Sequence, residues 1–211
     1  KYPNREPVFL NDLSSVSLLR AIRSFEFDIL HLNFIANQFF DIRELKCIHK
    51  PIIWTLHDCW PFTGICHYFY GCNHYTKSCG SCPMLHSNNP KDFTSKILIK
   101  KQRIYNHCKI HIVAPSNWML RCAKNSILFH KFQITNIPYV IDIMKYRTTH
   151  KTEAKLALGL NEDIHYVLYG AMNALFDSRK GFHLLLDALK YLKQKSIEQI
   201  DSEDGSDVIT T

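Results

Sequence analysis

The stretch from Ile52 to Pro83 concentrates polar and aromatic side chains that packing alone does not require. It begins as a short apolar run that predicts a buried strand, and His57 and Asp58 follow that run directly. In an open α/β sheet, ligands bind outside the carboxyl ends of the strands. A histidine there can act as an acid or base or donate to a phosphate, while the aspartate can orient it or cap a turn. His57 and Asp58 are therefore our candidate catalytic residues, and a structural role is the alternative.

Four cysteines in the same stretch have the spacing C-x5-C-x6-C-x2-C, at Cys66, Cys72, Cys79 and Cys82. Four thiolates suit a tetrahedral zinc ion, and such an ion would order a long connection that has little hydrophobic periodicity. Cys79 and Cys82 span a tight turn in which Gly80 permits the backbone to bend. We take the four as candidate ligands of a structural zinc, with disulfides, an iron–sulfur cluster or packing residues as alternatives.

A second candidate site lies further along the chain, where Arg179 and Lys180 precede Gly181 and a predicted helix. Two cations and a glycine at a helix N-terminus suit a phosphate, because positive charge and unpaired backbone N–H groups coincide there. Gly170, at the end of a predicted strand just before this turn, belongs to the same candidate site. Ser116 stands at a comparable corner between a strand and a helix, and it is a further candidate. A solvated basic turn is the alternative.

Hydrophobic periodicity predicts the elements that must position these side chains. Short apolar runs of strand length alternate with helical stretches, which favours a parallel sheet with crossover helices and thus an α/β, Rossmann-like fold. We predict strands at 27–32, 52–56, 110–114, 133–137 and 164–169, and helices at 13–25, 39–48, 92–106, 118–125, 152–158 and 181–194. The long connection 59–90 lacks periodicity, and loops of that length are usually functional or cross-linked.

Composition and charge leave several classes of partner open. Apolar residues make up 46% of the 211-residue chain, as in ordinary globular proteins, and no apolar run approaches the ~18 residues of a membrane span. The net charge is +7, and the last sixteen residues carry five acidic side chains and no basic ones. Without these five, 26 basic side chains face 14 acidic ones. A basic body suits a nucleotide, a nucleic acid or an anionic lipid surface, with a solvated surface as the alternative.

We divide the chain into three parts. Residues 1–143 form a first domain with a cysteine-rich insert at 59–90, and residues 144–195 form a linker and the start of a second domain. Residues 196–211 form an acidic tail that we expect to be disordered. The second part is too small to bury a core of its own. The sequence shows no export signal, so we expect a reducing, cytoplasmic compartment.

Four motifs occur along the chain, each separated from the next: TLHDCWPFTGICHYFYGC at 55–72 with CGSCP at 79–83, IVAPSNW at 112–118, IPYVID at 137–142, and DSRKGFHLLLDAL at 177–189. Together they resemble glycosyltransferase family 4, and more narrowly its bacterial members that build extracellular polysaccharides. The resemblance runs from about Asp28 to Lys193. It implies the GT-B fold, in which two Rossmann-like domains flank the active site. The first domain then takes the acceptor and the second the nucleotide-sugar.

The resemblance also implies roles for individual residues. His57 matches a histidine beside the transferring sugar, and Ser116 matches a serine at the mouth of the cleft. Arg179 and Lys180 match cations that hold the donor diphosphate. The resemblance implies retention of anomeric configuration without a catalytic metal, a nucleotide-sugar donor, a saccharide or lipid-linked saccharide acceptor, and no nucleic-acid partner. Basic helices on the first domain would suit peripheral attachment to the inner membrane face.

The sequence departs from the family in three places. The family's first strand and Gly-rich turn do not precede Lys1, and its pair of donor-binding glutamates does not follow downstream. Ala171 stands after Gly170, where the family commonly has an arginine. We therefore expect a fragment of an enzyme, with weak or no activity by itself. The alternative from a different class is a non-catalytic zinc-binding interaction module that binds nucleic acid through its positive charge.

Overall fold

The structure is a computed structural model that describes residues 18–36, 39–173 and 175–202. The chain divides into two compact units after Asp142. Among the residues described, no helix is both long enough and apolar enough to span a bilayer.

The first unit is built on a four-stranded parallel sheet with the order β1-β2-β3-β4. The strands are β1 (Leu30–Leu32), β2 (Ile52–Thr55), β3 (Ile110–Ala114) and β4 (Gln133–Asn136). Each strand pairs with the one that follows it in sequence, and Trp54 stands opposite Leu32 on one side and Ile112 on the other. Parallel neighbours need crossover connections, and the unit has the α/β, Rossmann-like fold that the sequence predicts.

The α-helices of the first unit are α1 (Leu19–Arg23), α2 (Phe93–Tyr105) and α3 (Asn117–Asn125). Polar side chains cap the two longer helices, as expected at helix N-termini. Asp92 accepts from the N–H groups of Thr94 and Ser95, and Ser116 accepts from the N–H group of Met119. Helix α1 is shorter than predicted, and residues 13–17 of that prediction lie outside the described part of the chain.

The segment 39–48, which we predict as a helix, forms only a short 3-10 helix at Ile42–Cys47. Asp41 caps it by accepting from the N–H group of Arg43 at 3.0 Å. Pro51 prevents the helix from continuing at its C-terminal end, since a proline disfavours helical backbone in the residue before it. Short connectors of this kind often adopt the tighter 3-10 form.

The hydrophobic core of the first unit lies on one face of the sheet. Ile52 and Trp54 from β2 and Ile112 from β3 are all at most 1% exposed. The Trp54 ring packs edge-on against Tyr105 of α2, with centroids 5.6 Å apart, and also contacts Phe129. Each buried aromatic side chain contributes about 1.5–3 kcal/mol. These contacts hold α2 and the segment after α3 against the strands that carry the candidate site.

The insert 59–90 contains no strand or α-helix, only 3-10 turns at Trp60–Phe62, His74–Thr76 and Pro83–Leu85. Lys101 of α2 anchors its first turn. The Lys101 side chain is fully buried, and Nζ donates to the carbonyl oxygens of Trp60 at 2.6 Å and Thr63 at 3.1 Å. The ammonium also lies 3.8 Å from the centre of the Trp60 ring. These contacts offset the cost of burying the charge.

The second unit contains α4 (Lys151–Ala157) and α5 (Phe182–Ser202). The predicted strand at 164–169 is wrong, because those residues lie in no strand and Leu168 is 97% exposed. An apolar run forms a strand only beside a partner that completes its backbone hydrogen bonds, and the described part of this unit has none. Of the predicted strand–helix unit, the described residues form the helix, as α5, and not the strand.

Helix α5 continues beyond its predicted end, as far as Ser202, into the segment that we expect to be disordered. The rest of the acidic tail, residues 203–211, lies outside the described residues. Its predicted disorder stays a prediction.

Replacing Lys101 tests the anchor of the insert. Lys101→Met keeps most of the apolar stem but leaves the carbonyl groups of Trp60 and Thr63 without their donor. A buried carbonyl group without a hydrogen-bond donor destabilises the folded state by about 1–3 kcal/mol, so we expect the free energy of unfolding in urea to fall by about that amount. Lys96→Met, at an exposed position on the same helix, is the control and should change it by less than about 0.5 kcal/mol. Equal effects of the two substitutions would contradict the anchoring role.

Candidate active site

His57 follows the carboxyl end of β2, and hydrogen bonds hold both nitrogens of its ring. Nε2 lies 2.9 Å from Oδ1 of Asn33, and Nδ1 lies 2.6 Å from the hydroxyl of Tyr139. The Tyr139 ring also stacks on the imidazole, with centroids 5.6 Å apart and planes inclined by 9°. Asn33 follows β1 and Tyr139 follows β4. Segments after three different strands therefore meet around one histidine.

The donors and acceptors in these contacts select one tautomer of His57. The amide oxygen of Asn33 can only accept, so Nε2 carries the proton and donates it. Nδ1 then accepts from the Tyr139 hydroxyl. Burial, and secondarily the nearby Asp58 carboxylate, raise the pKa of Tyr139, so that this hydroxyl keeps its proton. The neighbours thus set both the orientation and the tautomer of the imidazole.

Asp58 is buried and hydrogen-bonds elsewhere than to His57. Its Oδ1 accepts from the N–H group of Trp60 at 2.9 Å, and its Oδ2 lies 2.5 Å from Nδ1 of His67. The side chains of Asp58 and His67 are each less than 10% exposed, and Phe34 stacks on the His67 ring. Of the two roles considered for Asp58, the structure shows the turn cap, while Asn33 and Tyr139 orient His57.

A small pocket opens beside these groups and is lined by Asn33, Phe34, His57, Asp58 and Trp60, among others. His57 is exposed. A ligand over the strand ends can therefore exchange hydrogen bonds with its ring. Nε1 of Trp60 is buried and has no hydrogen-bond partner among the residues described.

Ser116 follows β3, the strand beside β2, and its hydroxyl caps α3 by accepting from the N–H group of Met119 at 3.1 Å. The next residue, Asn117, accepts from Nδ2 of Asn136 at the end of β4. The structure therefore brings three predicted residues, His57, Asp58 and Ser116, to the same edge of the sheet. The Ser116 hydroxyl is used within the protein as a helix cap.

The four cysteines of the insert lie near one another. Burial, and secondarily the neighbouring Cys82, Cys79 and Cys72, raise the pKa of the Cys66 thiol to about 12. All four are free thiols in the structure. Among the residues described, no three His, Cys, Asp or Glu side chains are placed to hold a metal ion.

The turn between the last two cysteines has an unusual backbone. Cys79, Gly80 and Ser81 all have left-handed conformations, with φ of 51°, 84° and 42°. A Cβ atom on Gly80 would lie 2.0 Å from the carbonyl oxygen of Pro90, so only glycine fits there. Asp92 supports the turn from α2 by accepting from the N–H group of Cys82 at 2.9 Å. The predicted role of Gly80 in a tight turn is confirmed.

The second group of predicted residues lies in the second unit. Arg179 and Lys180 occupy a 3-10 turn, Ser178–Lys180, that ends at Gly181 with a φ of 72°. Nε of Arg179 donates to Oδ1 of Asp177 at 2.8 Å, and this contact lowers the pKa of Asp177. Lys180 is exposed. This is a cationic turn directly before α5, as the sequence predicts.

Sequence reasoning missed the partners of His57. Asn33 follows β1 as His57 follows β2, so the rule that parallel strands end at one edge is a signal that could have found it. Tyr139 lies in an irregular segment, and no local pattern points to its contact with a residue 82 positions earlier. The pairing of Asp58 with His67 was missed for the same reason.

The tautomer of His57 can be read directly by long-range ¹H–¹⁵N NMR of the histidine side chains at mildly alkaline pH. We expect the signature of the Nε2–H form in the unmodified chain. Asn33→Ala removes the acceptor that holds this proton, so the Nδ1–H form should appear beside it. His111, whose Nε2 lies 2.8 Å from Oγ1 of Thr135, is the internal control and should not change. A His57 signal unaffected by Asn33→Ala would refute the selection of the tautomer by Asn33.

Comparison with known proteins agrees with the resemblance seen in the motifs. The family described as Glycosyltransferase Family 4 matches residues 1–144. A segment of 45 residues is 42% identical to the Putative colanic acid biosynthesis glycosyl transferase WcaC of Escherichia coli (strain K12), and it covers 20% of this chain and 11% of that protein. No solved structure matches the chain. Because the family match extends over more than half of its residues, the chain belongs to glycosyltransferase family 4.

Proposed function

We propose that this chain provides the acceptor-side domain and the start of the nucleotide-sugar domain of a retaining glycosyltransferase of the GT-B type. The enzyme would move a sugar from a nucleotide-sugar to a saccharide or lipid-linked saccharide. One observation carries the proposal: the exposed imidazole of His57 is hydrogen-bonded at both ring nitrogens where the segments after β1, β2 and β4 meet. Family membership favours this function over the alternative of a non-catalytic zinc-binding module.

His57 is suited to contact the transferring sugar. A sugar hydroxyl can replace Asn33 or Tyr139 at one ring nitrogen while the other contact still orients the ring, so binding requires little further ordering. Groups held in place before the reaction stabilise charge more effectively than groups that must first reorganise. Asp58 acts indirectly in this proposal, because it caps the turn at Trp60 and so holds the wall of the pocket next to His57.

Arg179 and Lys180 are the residues that we propose for the donor diphosphate. Negative charge grows on the diphosphate as the glycosidic bond breaks, so fixed cations stabilise the transition state more than the ground state. Asp177 limits the freedom of Arg179 through a 2.8 Å hydrogen bond. At Gly170, no heavy atom lies within 4 Å of the position that a Cβ would occupy, so a ligand can approach the backbone there.

The pathway and location belong to the same proposal. The relative's name refers to colanic acid biosynthesis, which supports a role in making an extracellular polysaccharide. Retention of configuration without a catalytic metal follows from the resemblance of the motifs. We propose a cytoplasmic protein in peripheral contact with the inner face of the membrane, because the chain carries a net charge of +7 and anionic lipids attract basic surfaces.

Sugar transfer by the protein tests the proposed site. The measurement is transfer of radiolabelled sugar from UDP-, GDP- and dTDP-sugars to lipid-linked saccharide. We expect His57→Ala to lower kcat by about 100-fold or more, because a positioned group next to the reacting sugar is lost. His31→Ala, a histidine of β1 bonded to Thr55, is the matched control and should leave kcat nearly unchanged.

Lys180→Ala should likewise lower kcat, with Lys193→Ala as the control on an exposed part of α5. Transfer rates that survive both His57→Ala and Lys180→Ala would show that the site is assigned to the wrong residues. Absence of transfer from every donor would count against the proposed reaction itself.

Structural zinc at the four cysteines is a separate part of the proposal. It is supported by the proximity of the four thiols and by the left-handed turn at Cys79, Gly80 and Ser81, which leads directly to Cys82. We expect one zinc per chain in protein purified under reducing conditions, with four of the eight thiols protected from modification. Bound metal would stabilise an insert that has no strand to hold it.

Cys66→Ser should abolish zinc binding, and chelation should lower the Tm of the unmodified protein. Cys108→Ser is the control, since Cys108 lies outside the insert next to Cys47, and it should leave the zinc content unchanged. A metal-free protein with eight reactive thiols would rule out the zinc site without affecting the assignment of His57.

A further inference from the structure

Three aromatic rings form a stack that runs from the buried part of the first unit to its surface. Tyr75 is 7% exposed, and its ring stacks on Phe69 with centroids 4.9 Å apart. Phe69 stacks in turn on Trp118, with centroids 5.8 Å apart and planes inclined by 21°. Trp118 is 50% exposed, whereas Trp54 and Trp60 are 1% and 2% exposed. The stack therefore ends in a large, flat ring that is open to solvent.

The position of this ring is fixed from two sides. Trp118 lies in the first turn of α3, directly after Asn117, which is bonded to Asn136 of β4. Phe69 comes from the insert that follows His57. The ring is thus held by the strand ends and by the insert together, and a side chain fixed in this way loses little further conformational entropy when a ligand binds.

The surroundings of Trp118 are polar and belong to the edge that carries the candidate active site. Ser116 and Asn117 follow β3, as His57 follows the adjacent β2. Ser116 and Asn117, directly before Trp118 in the chain, are both exposed. An aromatic face next to exposed polar residues combines apolar contact with the ability to bind a hydroxyl group.

We propose that Trp118 is a stacking platform for a pyranose ring of the saccharide acceptor. A pyranose has an apolar face of C–H groups and a rim of hydroxyls, so it fits a flat indole bordered by hydrogen-bonding groups. The inference rests on the proposed function and assigns the acceptor to a particular surface of the first unit. Trp118 is a binding residue in this proposal and takes no part in bond making or breaking.

Saturation-transfer difference NMR on the purified chain is the first test. The probes are the methyl pyranosides of glucose, galactose, mannose, fucose and N-acetylglucosamine, with mannitol as an acyclic polyol that has no ring face. We expect saturation of ring C–H protons for at least one pyranoside and none for mannitol. Trp118→Ala should weaken that pyranoside about tenfold or more, while Trp118→Phe should stay within about threefold. Phe25→Ala, another exposed aromatic of the first unit, is the control and should have no effect.

Tryptophan fluorescence gives a second, independent reading, because Trp118 is the exposed one of the three tryptophans. Acrylamide should quench an accessible component that disappears in Trp118→Ala. The pyranoside that binds in the NMR experiment should protect this component from quenching. Near-UV circular dichroism and the Tm of Trp118→Ala then show whether the variant keeps its fold.

Binding that Trp118→Ala leaves unchanged, or the absence of binding by every pyranoside, would overturn the platform. Protection of Trp118 by UMP and by no pyranoside would also overturn it, since the ring would then stack on a nucleotide base. None of these outcomes bears on sugar transfer, which is measured separately with the His57 and Lys180 variants. If the protein binds a pyranoside but transfers no sugar, the result supports the acceptor surface and contradicts the proposed reaction.

Discussion

The parallel pairing of β1, β2, β3 and β4 decides which side chains of this protein can meet. Parallel strands all end at the same edge of a sheet, so residues that follow different strands become neighbours there. Asn33, His57 and Ser116 follow β1, β2 and β3 in this way, and Tyr139 follows β4. An antiparallel arrangement would send alternate members of this set to opposite ends of the sheet.

The wall beside the candidate site depends on a small number of buried polar contacts. The insert 59–90 has no ladder of backbone hydrogen bonds, so side chains of α2 and its cap replace one. Lys101 binds the carbonyl groups at one end of the insert, and Asp92 binds the backbone of Cys82 near the other. Buried contacts of this kind are strong only while every partner is satisfied. The order of the insert therefore rests on α2, which itself packs on Trp54 through Tyr105.

The different roles of His57 and of the Asp58–His67 pair near β2 are a consequence of burial. Asp58 and His67 are enclosed together, where a lone carboxylate would be costly and a paired one is tolerated. His57 stays exposed and bonds to groups that are themselves uncharged, Asn33 and the Tyr139 hydroxyl. The buried pair holds the loop in shape, and the exposed histidine remains available to a ligand. Two residues adjacent in the sequence thus have different roles: Asp58 stabilises the loop, and His57 is available to a ligand.

The sequence alone determined much of the local structure. Alternating apolar runs and helical spacing predict all four strands of the sheet, and Asp92 and Ser116 mark helix starts because their side chains accept from free N–H groups. The strand end at His57 and the turn at Gly80 are likewise local features, and the motifs identify the family. These predictions succeed because periodicity, capping and turn chemistry depend on residues close together in the chain.

Only the tertiary structure decided which of these residues touch. The contacts of His57 with Asn33 and Tyr139, of Asp58 with His67, and of Trp118 with Phe69 join residues from separate elements, and no local pattern encodes them. The failed strand at 164–169 has the same origin, because an apolar run becomes a strand only when a partner lies beside it. The sequence determined the elements and the chemistry of their ends, and packing determined which ends form a site.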